Sequence, residues 1–291
     1  MAALPVQESR ISGAGQISRL VQLNPGNEDA SVLFWCNDKN IAQLANTAHG
    51  TVIASAKIKE INVPESLSYI IVESPRKAFA TVIKKFFDTS AVTPGISKTA
   101  VIAGGVTIGK DVFIGEHVII EKGCSIGDHT VILHNTVINA GTVIGNSVRI
   151  GSNNTIGGVG FGYEKLESGE YELIAHIGNV EIGDFVEIGN NTCIDRAVMG
   201  STQIKKNAKI DNLVHIAHGV VIEENALIIA HAMIGGSTTI GKNVWVAPGA
   251  LVINKGAVGD DSLVGMGAVV IRPVEQKTVV AGNPAKFIKN I

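Results

Sequence analysis

Aliphatic residues recur at every sixth position over most of this chain, and no other feature narrows the possible fold so far. From Ile96 the series runs unbroken through Ile102, Ile108, Ile114, Ile120, Ile126, Ile132, Ile138, Ile144 and Ile150 to Ile156. It resumes at Ile182, Ile188 and Ile194, skips four extra residues, and continues from Ile204 through Ile210, Ile216, Ile222, Ile228, Ile234 and Ile240. Valines then take over, from Val246 through Val252, Val258 and Val264 to Val270. Glycine often follows the aliphatic residue, as in Ile108-Gly109, Ile114-Gly115, Ile182-Gly183 and Ile240-Gly241. A period of six is the mark of a parallel β-helix. Each hexad supplies a short strand and a turn, three hexads close a triangular coil, and the aliphatic side chain points inward onto its equivalent one coil away. Glycine or a small polar residue accommodates the turn dihedrals.

Composition fits that architecture. There are 33 glycines and only 4 % aromatic residues, a bias that a repeat with a turn glycine produces and a core built on Phe and Trp would not. No apolar run approaches the roughly 18 residues of a membrane helix, so no membrane insertion is expected. MAALPVQESR carries no basic segment followed by an apolar one, and with three widely separated cysteines, Cys36, Cys124 and Cys193, it points to a reduced, cytoplasmic setting without disulfides or a metal site. A net charge of −2 gives no reason to expect a nucleic-acid partner.

The stretch before Ile96 has another texture. Thr51 to Ala54 and Tyr69 to Val72 read as buried strands. Ser74-Pro75 places a capping residue before a proline at the first helical position, with Phe79, Ile83 and Phe86 following on one face. The expected organisation is a small α/β domain over residues 1–93, a β-helix over 94–272 with a loop excursion at 157–181, and a C-terminal tail over 273–291. Thr93-Pro94-Gly95 is the junction. The excursion, with its alternating polar and aromatic residues in GFGYEKLESGEYEL, suggests a hairpin.

Histidine is the first candidate for a general base near neutral pH. His117, His129 and His134 read as surface residues. His215 and His218 flank the inward Ile216 and both face outward, with His231 one coil on. The coil length of eighteen residues puts Gly236 directly over His218. Allowing for the four-residue skip, Arg196 lies below and Asn254 above. A base and an uncluttered backbone N–H thus fall in one column, the pair that acyl transfer from a thioester to an amine requires. The alternative is a solvated turn histidine beside an ordinary turn glycine.

From Ile11 to Val270 the chain resembles the UDP-3-O-acylglucosamine N-acyltransferases of lipid A synthesis. The resemblance rests on GFGYE (Gly160 to Glu164), NNTCIDRA (Asn190 to Ala197), IDNLVHIAHGVVI (Ile210 to Ile222), IGGS (Ile234 to Ser237) and VGMGAVVIRPV (Val264 to Val274). It implies a left-handed β-helix, a handedness that the general preference for right-handed crossovers would not suggest. It also implies a homotrimer with sites between neighbouring subunits, His218 as general base and the Gly236 N–H as oxyanion donor. On the same motifs Phe161, Tyr163, Asp195, Arg196, Asp211, Asn212 and His215 are expected to bind the nucleotide sugar. In LFWCNDKN, Phe34, Asn37 and Lys39 match the family's uridine-binding segment, with Phe34 as the stacking residue, whereas Asn40 stands where a second aromatic is usual.

Two departures favour a different donor. Lys255 replaces a second histidine of that family, and only 21 residues follow Val270, in place of a helical extension associated with acyl carrier protein. Gly282, Asn283, Pro284, Ala285 and Lys286 resemble the ending of hexapeptide acyltransferases that use acyl-CoA. Together with His231, Asn254 and Lys255 they are expected to line a CoA site. The reading that follows is an N-acyltransferase moving a short acyl group from acyl-CoA to a nucleotide-linked amino sugar. The lipid A enzyme with an acyl-carrier-protein donor is the alternative, and a non-catalytic β-helix that binds a sugar nucleotide or a partner protein is the second.

Overall fold

The computed structural model describes residues 6–12, 16–23, 30–89 and 92–290, which form two compact units, Met1–Ala91 and Val92–Ile291. In the first unit a sheet runs in the spatial order Val6–Arg10, Ser68–Val72, Thr51–Ala54, Val32–Trp35 and Arg19–Leu20. Val6–Arg10 is antiparallel to its neighbour and the remaining pairs are parallel. Both faces are covered. Val32, Phe34 and Cys36 pack on one side with Leu44, Val52 and Ile58, while Leu33 and Ile53 pack on the other with Ala78 and Val72.

The helix Pro75–Val82 begins with proline as expected, but the Ser74 side chain makes no capping hydrogen bond. Beyond Val82 the helix widens into a π-turn, Ile83–Phe87. Phe79 therefore packs on the sheet whereas Ile83 and Phe86 remain exposed.

The uninterrupted apolar run VLFWC has a consequence for Phe34. It is 1 % exposed, with its ring against Gly50, where an added Cβ would come within 3.0 Å of it. It offers no face on which a base could stack, and the expectation of a stacking Phe34 is corrected accordingly. Phe34→Ala should instead destabilise this unit by about 3–5 kcal/mol through the cavity it leaves. Chemical denaturation followed by Trp35 fluorescence measures this.

The second unit is the β-helix. Its three faces are ladders of two-residue strands. Face I stacks Ile102, Ile120, Ile138, Ile156, Ile194, Ile216, Ile234, Val252 and Val270 in parallel register. Face II carries the column from Ile108 to Val258, and face III the column from Ile96 to Val264. Two residues before each aliphatic position lies a second inward column of smaller side chains, among them Cys124, Thr130, Thr136, Thr142, Thr192, Ala208, Ala226 and Thr238. The hydroxyls there are paired: Thr136 Oγ1 donates to Gly151 O at 2.9 Å and accepts from the Asn154 N–H at 3.2 Å. A buried hydroxyl must find such partners, and the corner carbonyls of the adjoining coil supply them.

Both breaks in the period fall on the edge between faces I and II. Face I keeps its register across them, Ile156 pairing with Ile194 and Ile194 with Ile216. The excursion leaves after the strand Thr155–Gly158 and returns at Asn179–Ile182, and it contains an antiparallel hairpin, Tyr163–Lys165 with Tyr171–Leu173. The second break is the corner between Cys193–Asp195 and Ser201–Ile204.

The last residues close the helix. Thr278–Ala281 continues face III beside Leu263–Val264, and Lys286–Asn290 folds back antiparallel on it. Val280 is buried and Ala285 packs against the core.

Candidate active site

The edge between faces I and II carries His218 at the corner after His215–Ile216. One coil further on, Gly236 lies against its ring, and a Cβ built on Gly236 would stand 2.8 Å from both Nε2 and Cε1 of His218. The imidazole therefore presents its Nε2 edge to the Gly236 backbone. Among the described residues no acceptor is bonded to the Gly236 N–H, whereas its neighbours are engaged: Gly235 N–H donates to Val252 O at 2.9 Å and Ser237 N–H to His218 O at 2.9 Å. The Gly236 carbonyl is used too, accepting from the Lys255 N–H at 2.7 Å.

On the coil before His218, Asp195 faces a group of imidazoles. Its Oδ2 lies 3.7 Å from His215 Nε2, and the carboxylate side chain is 13 % exposed. Burial pushes the Asp195 carboxyl above its usual range, and His215, then His218 and His176, oppose the shift. Arg196 turns its guanidinium to the backbone: Nε donates to Gly157 O at 2.7 Å and a terminal nitrogen to Ala140 O at 3.1 Å. It pins the start of the excursion to the coils on either side. Phe161 and Tyr163, at the foot of the hairpin, form an exposed ring pair with centroids 4.9 Å apart.

Other candidates lie elsewhere. Asp211 and Asn212 belong to the edge between faces III and I, in a ladder of carboxamide and carboxylate caps. Asn190 N–H donates to Asn212 Oδ1 at 2.7 Å, Asn212 N–H to Asp211 Oδ1 at 2.7 Å, and Ala230 N–H to Asp211 Oδ2 at 3.2 Å. His231 sits on that same edge, its N–H bonded to Asn212 O. Asn254 and Lys255 are exposed at the corner after Leu251–Val252, above Gly236. Gly282, Asn283, Pro284 and Lys286 form the terminal hairpin, where Gly282 O accepts from the Val269 N–H at 3.0 Å. In the first unit Asn37 and Lys39 are exposed, Asn37 Oδ1 capping the Asn40 N–H at 3.0 Å.

Sequence reasoning missed His176. The returning arm of the excursion places its ring edge-on to His218, with centroids 5.3 Å apart and planes at 81°. Among the described residues no group of three or more His, Cys, Asp or Glu is arranged to hold a metal ion, and no helix is long and apolar enough to cross a membrane.

A β-helix of stacked hexads, three to a coil, defines the class of hexapeptide-repeat transferases, and comparison with known proteins agrees. The profile of the bacterial transferase hexapeptide (six repeats) family matches residues 123–158. A UDP-3-O-acylglucosamine N-acyltransferase of Campylobacter lari is 46 % identical over 240 residues, covering 79 % of this chain and 74 % of the relative. The corresponding Sulfurimonas denitrificans protein is 49 % identical over 225 residues, 74 % of this chain and 70 % of the relative. The chain belongs to the UDP-3-O-acylglucosamine N-acyltransferase family. Among solved structures, LpxA of Acinetobacter baumannii shares the β-helix with a TM-score of 0.61 and 23 % identity, over 67 % of this chain and 74 % of that one. The expected left-handed β-helix fold is thereby established.

These relatives correct the leading functional expectation. The relatives are named for UDP-3-O-acylglucosamine as acceptor rather than for another amino sugar, so the alternative drawn from the central motifs is the better reading. The CoA expectation rested on the tail around Gly282 to Lys286. In the structure this segment is the turn of the terminal hairpin, with Ala285 packed against the core.

Proposed function

We propose that this chain transfers an acyl group from an acyl thioester to the amino group of UDP-3-O-acylglucosamine. The observation that carries this reading is the close approach of the His218 Nε2 edge to Gly236, whose N–H has no acceptor among the described residues, on the edge where both breaks in the repeat occur. Neutral His218 removes a proton from the amine as it attacks the thioester carbonyl. The C–N bond forms, the carbonyl pair moves onto oxygen, and the Gly236 N–H donates to that oxyanion, a preorganised donor of the kind that lowers such barriers most. Collapse of the tetrahedral intermediate breaks the C–S bond, and the leaving thiolate takes the proton from the His218 imidazolium.

Asp195 and His215 lie one coil apart beside the base, where they would bind hydroxyls of the sugar, and the Phe161–Tyr163 pair offers an apolar surface at the same edge. The donor in this reading is an acyl chain on acyl carrier protein. The test is direct: incubation with UDP-3-O-acylglucosamine and matched acyl-carrier-protein and acyl-CoA donors, with the N-acyl product read by mass spectrometry. Absence of product with every donor would overturn the proposal.

The active assembly is a homotrimer. A single helix presents shallow surfaces on this edge, ligand sites are concave, and Phe161, Ile177 and Met199 stand largely exposed along it. Light scattering is expected to give three times the 30.4 kDa chain mass at micromolar concentration, and a monomer would contradict the arrangement.

A further inference from the structure

We infer that His176 is a positioning residue that holds the His218 imidazole in its reactive orientation. This rests on His218 being the base. The excursion is stitched at its foot, where the Ile174 N–H donates to Gly162 O at 2.9 Å. From the same arm the His176 Nδ1–H donates to Ile174 O at 2.7 Å, which fixes the plane of a ring that is only 8 % exposed. That ring meets His218 edge-on.

The backbone is thinned to make room for the pair. A Cβ on Gly160 would lie 2.9 Å from His176 Nε2, 3.1 Å from His218 Cβ and 3.2 Å from His218 Cδ2, and one on Gly162 would lie 3.2 Å from His176 Cε1. His218 is therefore gripped from two sides. Gly236 abuts its Nε2–Cε1 edge and Gly160 its Cβ–Cδ2 edge, while the His176 ring stands at 81° to it.

A second observation marks His176 as more than filler. With Nδ1 donating to a carbonyl, Nε2 is an acceptor, and it is buried without a partner. An unmet buried acceptor is costly. A phenylalanine would fill the same space without that cost, but it would lack the Nδ1–H anchor that sets the ring at right angles to His218.

Two variants test this. His176→Ala should lower kcat by about thirtyfold, in line with the sensitivity of catalysis to small misplacements, while the KM for UDP-3-O-acylglucosamine stays within about twofold. His176→Phe restores the ring without its anchor and should recover part of the loss. Crystal structures of the wild type and the alanine variant should show the His218 ring displaced from Gly236 or divided between rotamers in the variant. A raised KM with unchanged kcat would mean that His176 merely anchors the hairpin, and would overturn the inference. So would an unmoved His218 ring, or a phenylalanine variant no better than alanine. Should the alanine variant fail to fold, the kinetics and crystal structure of the phenylalanine variant decide. If the wild type acylates no amino sugar, the proposed function falls, while the crystal comparison still decides whether His176 positions His218.

Discussion

His218→Ala should reduce turnover by about two to four orders of magnitude, the range that a general base contributes. The loss should appear in kcat. The KM for the sugar should change little, because Asp195, His215 and the Phe161–Tyr163 pair remain in place. Folding should be nearly untouched. The side chain lies on an outer corner, and the inter-coil bond at this residue, Ser237 N–H to His218 O, is made by the backbone and survives the substitution. The melting temperature is expected to fall by about 2–4 °C, as for the loss of one half-buried side chain outside the core. Steady-state kinetics and calorimetry on the same preparation check both halves. A variant retaining most of its activity would move the role of base to another imidazole of the group.

Gly236→Ala is expected to have the second largest effect, about a hundredfold in kcat, through a methyl group placed where the imidazole now sits. The new Cβ would lie 2.8 Å from His218 Nε2 and Cε1, so the ring has to move, and displacements of this order are costly in catalysis. The Gly236 backbone lies outside the left-handed region, so alanine adds no backbone strain there. The neighbouring Gly235 provides the contrast. A Cβ on Gly235 would lie 2.5 Å from Asn254 N, in the backbone of the next coil, so Gly235→Ala should lower the melting temperature. Two adjacent glycines should thus separate into one lesion read in activity and one read in stability.

The juxtaposition of His218 with Gly236 was legible because the fold is periodic. Once Ile194, Ile204 and Ile216 fix the register, position within the coil follows from counting, and His218 with Gly236 falls out of the count. The second inward column was not legible, since Thr130, Thr136, Ala208 and Thr238 share small size but no hydropathy. His176 was hidden because counting stops where the excursion begins. It is nevertheless the only histidine in that segment, whose two ends rejoin the His218 edge, and that was the available signal. Phe34 was misread for a different reason. Its run of five apolar residues forms a strand buried on both faces, and a match to a binding motif carries no information about which side chains that burial takes up.

The confinement of both breaks to one edge separates evolvable from fixed parts of the molecule. Each coil leans only on the coils before and after it, as in other solenoids, and the two uninterrupted edges carry the register through the breaks unchanged. Length on this edge is therefore a free variable: a longer or shorter hairpin leaves the pairs of face III behind it in register. Loops of other lengths grafted between Gly158 and Asn179 would leave the rest of the solenoid as a fixed frame.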